Sequence, residues 1–338
     1  MLCYQYFIFA FSLVMVRAVQ DSTKPYYNLA HAEQHFTAFI DKYEKHYESA
    51  EEYNRRFETF KKKLSLINHW NEIHEASFDV NQFTDEEPSQ NRTGFVPSKL
   101  RSKSLKIKLN NKLLRNAPTT LDYRTLGLVT KIKKAQIDCG SCYIFGAVGN
   151  IEGQYAKLTG ELISLSEQHV LDCEDTLNAC DVGGDDLDII RTLSKGHGLV
   201  SDADYPYLDY QQKECINKQQ VKVKVASGCS IYTPNEEYLK LALLKNGPLS
   251  ISLYMSPSMD YYSGGGVFKL KDCPYNRDPN HVVLLVGYSK DRSGTPYWII
   301  KNSYGLDWGH KGYLHLEMGK GHCSILKEGA VNAKVMRP

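Results

Sequence analysis

The stretch Gln136-Ile137-Asp138-Cys139-Gly140-Ser141-Cys142-Tyr143 sets Cys142 behind a Gly-Ser step and ahead of a helical pattern that runs from Tyr143 to Ala156. A cysteine is a useful nucleophile only as thiolate, and the positive end of a helix dipole together with a nearby imidazolium can hold it ionised below its free pKa of about 8.5. The helix lies in the stretch itself. The imidazole has to come from elsewhere, and two later islands provide it: Asn280-His281-Val282-Val283 and Asn302-Ser303-Tyr304-Gly305. In that order His281 pairs with the thiol, and the neutral amide of Asn302 orients the second ring nitrogen without competing for its proton.

Read singly, each island has a plainer meaning. Cys139-Gly-Ser-Cys142 has the spacing of a redox pair or half a zinc site, but there is no second CxxC and no short strand–CxxC–helix unit. His281 alone reads as a core histidine beside the apolar run Val282 to Val286, and Asn302 alone as a turn residue. Jointly they are far more specific, because both follow Cys142 in or near the roughly 130–150-residue window expected for one kind of nucleophile. On these motifs the chain resembles the papain family of cysteine proteases, similar to cathepsin L-like, viral and insect cathepsins. The resemblance implies an α+β, papain-like two-domain fold. A helical half (about 117–225) joins a β-barrel-like half (about 226–338), with the active site in the cleft between them and an α-helical inhibitory propeptide in front.

The same resemblance assigns roles residue by residue. Cys142 attacks the scissile carbonyl, His281 serves as ion-pair partner and proton donor, Asn302 orients His281, and Gln136 supplies a side-chain donor to the oxyanion hole. Gly183 and Gly184 bind the substrate backbone, although Cys180-Asp-Val-Gly-Gly carries one residue more than the family's usual spacing. Asn280, Val282, Tyr304 and Trp308 line the cleft. Glu328, five residues beyond Cys323, falls at the floor of the S2 pocket, with Asp185 and Asp186 on the opposite wall. If these acids face inward the pocket accepts Arg at P2; the plainer reading leaves them in solvent. Tyr143 and Tyr304 stand where the family usually has tryptophan, so the Asn302–His281 bond is expected to be less well covered. No exopeptidase loop is recognisable, which favours internal cleavage.

Ahead of the catalytic half, Glu52, Arg56, Phe60, Lys63, Ile67 and Asn71 recur at intervals of three and four, on one helix face. They resemble the inhibitory propeptide motif of cathepsin L-like precursors, with Lys63 where Asn is usual. Asp79-Val-Asn81-Gln-Phe83-Thr-Asp85 resembles its second motif, with Asp79 for Gly. Residues 99–115 are basic and poorly patterned, so they read as an exposed linker, with maturation near residues 115–119. The expected organisation is a signal peptide over 1–18, a propeptide over 19–116 and a mature peptidase over 117–338, made in the secretory pathway for a lysosome-like or extracellular setting. Asn91-Arg-Thr93 is a glycosylation sequon.

With 41 Lys and Arg against 39 Asp and Glu, the chain is nearly neutral and has no basic face joined to aromatics, which argues against nucleic acid as a partner. No run after the leader is long and apolar enough for a membrane span. Of nine cysteines, Cys3 lies in the leader and Cys142 must stay free. Among the other seven, the family implies the disulfides Cys139–Cys180, Cys173–Cys215 and Cys273–Cys323. Cys229 is left over and reads as a small buried hydrophobe. Helices are expected from Leu165-Ser166 and from Asp185 to Lys195, and strands over 221–225, 249–253, 281–286 and 297–300. The family further implies no cofactor or metal, protein or peptide substrates, the propeptide and cystatin-like proteins as inhibitors, and a monomer. A catalytically weakened homologue that binds or inhibits other proteases is the competing class.

Overall fold

The computed structural model describes residues 24–87, 92–173, 178–196, 198–215, 220–269, 273 and 277–338. The signal peptide expected over 1–18, with Cys3, and the sequon residue Asn91 lie outside them.

The chain opens with a helical hairpin, α1 (Ala32–Tyr43) and α2 (Ala50–Ile73). The amino terminus of α2 is closed by Ser49, whose side chain accepts from the Glu52 amide at 3.1 Å, while Glu52 reaches back to the Glu48 amide at 3.1 Å. The spaced face does divided work. Phe60 and Leu64 join Phe36 and Phe39 in an aromatic core between the two helices, whereas Ile67 and Trp70 turn toward Phe78 and Tyr261 of the main body. Asn71 ties the hairpin to its flanks through hydrogen bonds with Pro25 O (2.9 Å) and with both main-chain groups of Phe78 (2.8 Å). Asp79, out of place in the motif, accepts from the Tyr27 hydroxyl and from the Val80 amide.

Residues 92–106 form a strap whose regular structure is a short 3-10 helix over Lys99–Lys103 and the terminal β1 (Leu105–Lys106), and it is followed by α3 (Asn111–Arg115). The linker expected over 99–115 is therefore partly ordered: its lysines are exposed, but Arg101 is buried and β1 pairs in parallel with the far end of β4 (Val223–Tyr232).

Beyond the strap come β2 (Leu121–Asp122), α4 (Cys142–Thr159), α5 (Glu167–Cys173), α6 (Ala179–Val182), α7 (Asp186–Leu193) and β3 (Gly198–Leu199). After β4 follow α8 (Glu236–Asn246), β5 (Leu249–Leu253), β6 (His281–Lys290), β7 (Pro296–Lys301), β8 (Tyr313–Glu317) and β9 (Ala330–Met336). The sheet runs β1-β4-β9-β5-β6-β7-β8, with β2 on β6 and β3 on β4. It is an open path, so "barrel-like" holds only loosely. The last strand inserts beside β4 and β5: Ala330 packs into the β-rich core, while Val331, Ala333 and Val335 pack into the core around α4. Conversely Leu121, Tyr123 and Leu128, early in the chain, pack on the β-rich side.

Helix α4 is the spine between the two cores, buried along most of its length. Disulfides join Cys139 to Cys180, Cys173 to Cys215 and Cys273 to Cys323, leaving Cys142 and the half-buried Cys229 as free thiols among the described residues. Beneath α4 a buried charge cluster locks its neighbours. Lys133 Nζ lies 2.7 Å from both Glu152 and Glu167, and Lys301 Nζ donates to Thr130, which in turn donates to Glu152. The sequence offered no periodic signal for it, since its members come from four separate segments.

Candidate active site

Cys142 is the first residue of α4, and its buried thiol takes main-chain hydrogen bonds from Val282, Tyr143 and Gly94. Val282 follows His281, so the sulfur rests on the strand start that carries the imidazole. His281 Nε2 stands 2.8 Å from Asn302 Oδ1. With that oxygen accepting, the neutral ring carries its proton on Nε2 and leaves Nδ1 able to take one. The bond is well covered: the buried Tyr304 ring lies 5.1 Å from His281, and Tyr304 is in turn packed edge-on by Trp308 at 5.6 Å and Phe83 at 5.3 Å. Phe83, from the amino-terminal region, makes up for the area a tyrosine lacks.

Gln136 is fixed from both ends. Its Oε1 accepts from Ser303 Oγ at 2.8 Å, and its Nε2 donates to Cys139 O at 2.7 Å while approaching Arg92 O at 3.5 Å. That same Arg92 carbonyl accepts from the Tyr304 hydroxyl at 3.1 Å and faces the His281 ring. The strap thus places a peptide oxygen amid the polar groups of the site.

From Arg92 the strap runs straight across the thiol. Gly184 N–H donates to Gly94 O at 2.7 Å, Val96 N–H to Gly184 O at 3.0 Å, and Phe95 N–H to Asn280 O at 3.1 Å, a parallel bridge centred on Phe95 and Gly184. A Cβ on Gly94 would lie 1.8 Å from Gly140 O, and one on Gly183, at φ +72°, 2.1 Å from Gly94 O. Only glycine permits this approach. Burial beneath the strap pushes the Cys142 thiol up to about 11 and His281 down to about 4. Desolvation therefore outweighs the helix terminus, and at neutral pH both groups are uncharged.

The three acids have different fates. Asp185 Oδ2 accepts from Arg101 Nε at 2.6 Å, Asp186 Oδ1 accepts from Arg101 Nη2, and Arg101 Nη1 donates to the main-chain carbonyl of Glu328 at 3.0 Å. Asp185 and Asp186 are thus buried and paired, not in solvent, and the guanidinium also lies over the Phe95 ring. Glu328 offers this arginine its backbone, while its side chain is half-exposed. Asn280 uses its side chain to accept from the Met255 amide, and Trp308 Nε1 donates to Met259 O, so both hold the cleft walls. Sequence reading missed Arg92 and Arg101. The one available sign was an arginine set among the lysines of 99–103, since a planar fork suits buried carboxylate pairs better than an ammonium does.

Residues 117–333 match the papain family cysteine proteases, and residues 36–90 match the cathepsin propeptide inhibitor domain (I29). The chain belongs to the papain family. It is 34% identical over 324 residues to a viral cathepsin of Heliothis zea nuclear polyhedrosis virus, covering 90% of this chain and 85% of that one. It is also 34% identical over 313 residues to cysteine proteinase 1 of Dictyostelium discoideum, covering 86% and 89%. Among solved structures it resembles digestive procathepsin L2 proteinase of Tenebrio molitor larval midgut, with a TM-score of 0.79, 29% identity and coverage of 90% and 99%. The papain-family chain is thus a cysteine protease precursor that carries its own inhibitory propeptide domain. Among its described residues no helix is long and apolar enough to cross a membrane, and no His, Cys, Asp and Glu cluster could hold a metal.

Proposed function

We propose that this chain is an endopeptidase precursor in which residues 1–18 direct secretion, 19–116 inhibit, and 117–338 remain as the mature enzyme, with an acidic S2 pocket that takes Arg as well as apolar side chains at P2. Once the strap leaves, water reaches Cys142 and His281, and the thiol gives its proton to the imidazole. Cys142 Sγ then adds to the scissile carbonyl, and Gln136 with the Cys142 main-chain N–H holds the resulting oxyanion. His281 protonates the leaving amine as the C–N bond breaks, and water, deprotonated by His281, hydrolyses the thioester. Asn302 keeps the ring in the productive tautomer throughout.

The P2 reading is carried by one observation: Arg101 is gripped by Asp185 and Asp186, the two residues that follow Gly184, and by the Glu328 carbonyl. A substrate guanidinium would replace it, recognised chiefly by the aspartates, with the Glu328 carboxylate as a further acceptor. Charged hydrogen bonds of this kind contribute on the order of 1.5–3 kcal/mol, or roughly 10–150-fold in kcat/KM.

Activation by acid is assigned to the hairpin. Asp85 is buried against Lys45 (3.1 Å), Arg56 (3.8 Å) and the Tyr47 hydroxyl (3.0 Å), and this cluster of carboxylate ion pairs, the class of interaction that acid weakens, holds the anchor of the strap. Such a precursor suits an acidic, lysosome-like compartment or acidified extracellular space. The test is to incubate the purified precursor at pH 4, sequence the new amino terminus, label Cys142 with an epoxide thiol inhibitor, and compare matched P2-Arg and P2-Phe peptides. Cleavage near residues 115–119, labelling lost in Cys142→Ala, and an Arg/Phe ratio that collapses in Asp186→Asn are expected. A precursor fully active at pH 7.5 without cleavage, or an Arg/Phe ratio indifferent to Asp186, would overturn the respective part.

A further inference from the structure

Arg101 has a counterpart at the other end of the strap. Asp260 lies in the turn Met259–Tyr261 between β5 and β6, with its carboxylate mostly buried. The cations acting on it are Lys63 of α2 and Arg92, which pairs with Glu86 through Nη1 at 2.5 Å and reaches Asp260 through Nη2 at 4.0 Å, while Glu86 itself opposes them. Lys63 also lies over the Tyr261 ring at 5.4 Å. All three charged neighbours belong to the amino-terminal region. Release of that region leaves a carboxylate in a partly enclosed site with none of the cations that now balance it, and an uncompensated buried charge is strongly unfavourable until water or a new cation reaches it.

The strap also gives Asp260 an address. Its consecutive residues set Arg92 beside Asp260, Gly94 on the Cys142 thiol, and Phe95 with Val96 on Gly184. Gly184 lies toward the P2 pocket, so Asp260 lies across the nucleophile from it, on the leaving-group side. The Arg92 guanidinium sits 4.3 Å over the Phe83 ring, which is edge-on to Tyr304. When Phe83 departs, Tyr304 and Trp308 remain as an aromatic wall along which the aliphatic stem of a basic side chain can lie, its charged end toward Asp260.

We propose that Asp260 is a specificity residue of the mature enzyme, selecting Arg or Lys at P1′, the first residue after the scissile bond. This rests on the endopeptidase reading above and extends it to the far side of the nucleophile: the two arginines that plug the precursor's cleft occupy the places of two basic residues of a substrate. The mature enzyme then favours peptides with basic side chains flanking the cut at P2 and P1′.

The test uses acid-activated enzyme and internally quenched peptides that share Phe at P2 and differ only at P1′, carrying Arg, norleucine or Glu. The wild-type Arg/norleucine ratio of kcat/KM should be about tenfold or more, with Glu poorest. In Asp260→Asn the ratio should fall toward one, and Asp260→Lys should favour Glu over Arg. The P2-Arg to P2-Phe ratio, read in the same Asp260→Asn protein with norleucine at P1′, should not move, which separates a prime-side contact from general damage to the cleft. A wild-type ratio near one, or a preference for Arg that survives Asp260→Asn, overturns the assignment while cleavage of the norleucine peptide keeps the endopeptidase reading intact. If no peptide is cut by unlabelled activated enzyme, although a parallel sample takes the epoxide at Cys142, the endopeptidase reading itself fails and this one with it.

Discussion

The helical hairpin and the strap both belong to the amino-terminal region, yet they are held by opposite means. The hairpin has a core of its own in which Phe36, Phe39, Phe60 and Leu64 are buried almost completely, and burial of each such side chain stabilises by roughly 1.5–3 kcal/mol. The strap has no core. It is fixed on the peptidase half by main-chain pairing at Gly94, Phe95 and Val96 and by Arg101, while Arg92 bridges Glu86 of the amino-terminal region at 2.5 Å and Asp260 of the peptidase half at 4.0 Å. The hairpin therefore carries a core of its own, whereas the strap owes most of its order to the surfaces it covers. That division predicts separate failures: damage to the hairpin should release everything, and damage to the strap should release the cleft alone.

The largest effect should come from Phe60→Ala. Removing a fully buried aromatic from the hairpin costs about 3–5 kcal/mol, enough to unfold a two-helix unit of this size. The precursor should then hydrolyse peptide at pH 7 without prior cleavage and lose its first thermal transition. Retained inhibition would mean that the strap holds the cleft unaided, against the division drawn above.

Arg101→Ala comes next. It leaves Asp185 and Asp186 buried without their cation, and breaking such a pair costs about 3–5 kcal/mol, reduced here because water can enter as the strap lifts. Inhibition should weaken by roughly ten- to a hundredfold while the hairpin's thermal transition stays in place. Both transitions moving together would show that hairpin and strap form one cooperative unit.

The pH response of Asp260 sharpens the comparison in another way. Burial raises its carboxyl from the ordinary 3.8 to about 6 despite Arg92 and Lys63. A carboxyl raised on folding contributes stability that is fully present below the unfolded value near 4 and is lost as pH rises through about 6. Acid therefore does not open the precursor through this group; between pH 7 and 5 it helps to keep it closed. Relative to Asp260→Asn, the wild-type precursor should gain on the order of a few degrees in Tm as pH falls from 7 to 5, measured before any cleavage. A wild-type loss over that window relative to the variant would assign acid release to Asp260 instead of to the hairpin's Asp85 cluster.

These contrasts also mark what could be read from the chain alone. Periodicity exposed the Phe60, Ile67 and Asn71 face because a helix repeats locally, and residue type with order exposed Cys142, His281 and Asn302 because the chemistry admits few substitutes. Pairings that join distant segments left no local trace. Lys63 looked like a blemish in its motif until Asp260 and Tyr261 appeared beside it. Asp185 and Asp186 turn inward only because Arg101 meets them, and Arg101 sits in a lysine-rich stretch whose composition reads as solvent-exposed. Strand β9 has alternating apolar residues, yet nothing local says that it inserts between β4 and β5. The neutral thiol was equally hidden, because the sequence shows the helix terminus that favours thiolate and not the strap whose burial opposes it.

The smallest effect should be that of Tyr304→Phe. The ring keeps its packing on His281, Phe83 and Trp308, so the cover over the His281–Asn302 bond is unchanged in shape. What disappears is one hydroxyl, and with it the 3.1 Å bond to Arg92 O, leaving that buried carbonyl with the longer 3.5 Å approach of Gln136 Nε2. A neutral hydrogen bond of this sort contributes about 0.5–1.5 kcal/mol, so inhibition by the strap should weaken by roughly 2–13-fold. The hairpin makes no use of this hydroxyl and should melt as before. Measuring residual precursor activity at pH 7 beside the thermal transition resolves the two: weaker inhibition with an unchanged transition places the hydroxyl in the strap's grip. Unchanged inhibition would mean that the main-chain pairing with Gly184 and the two arginines hold the strap without it.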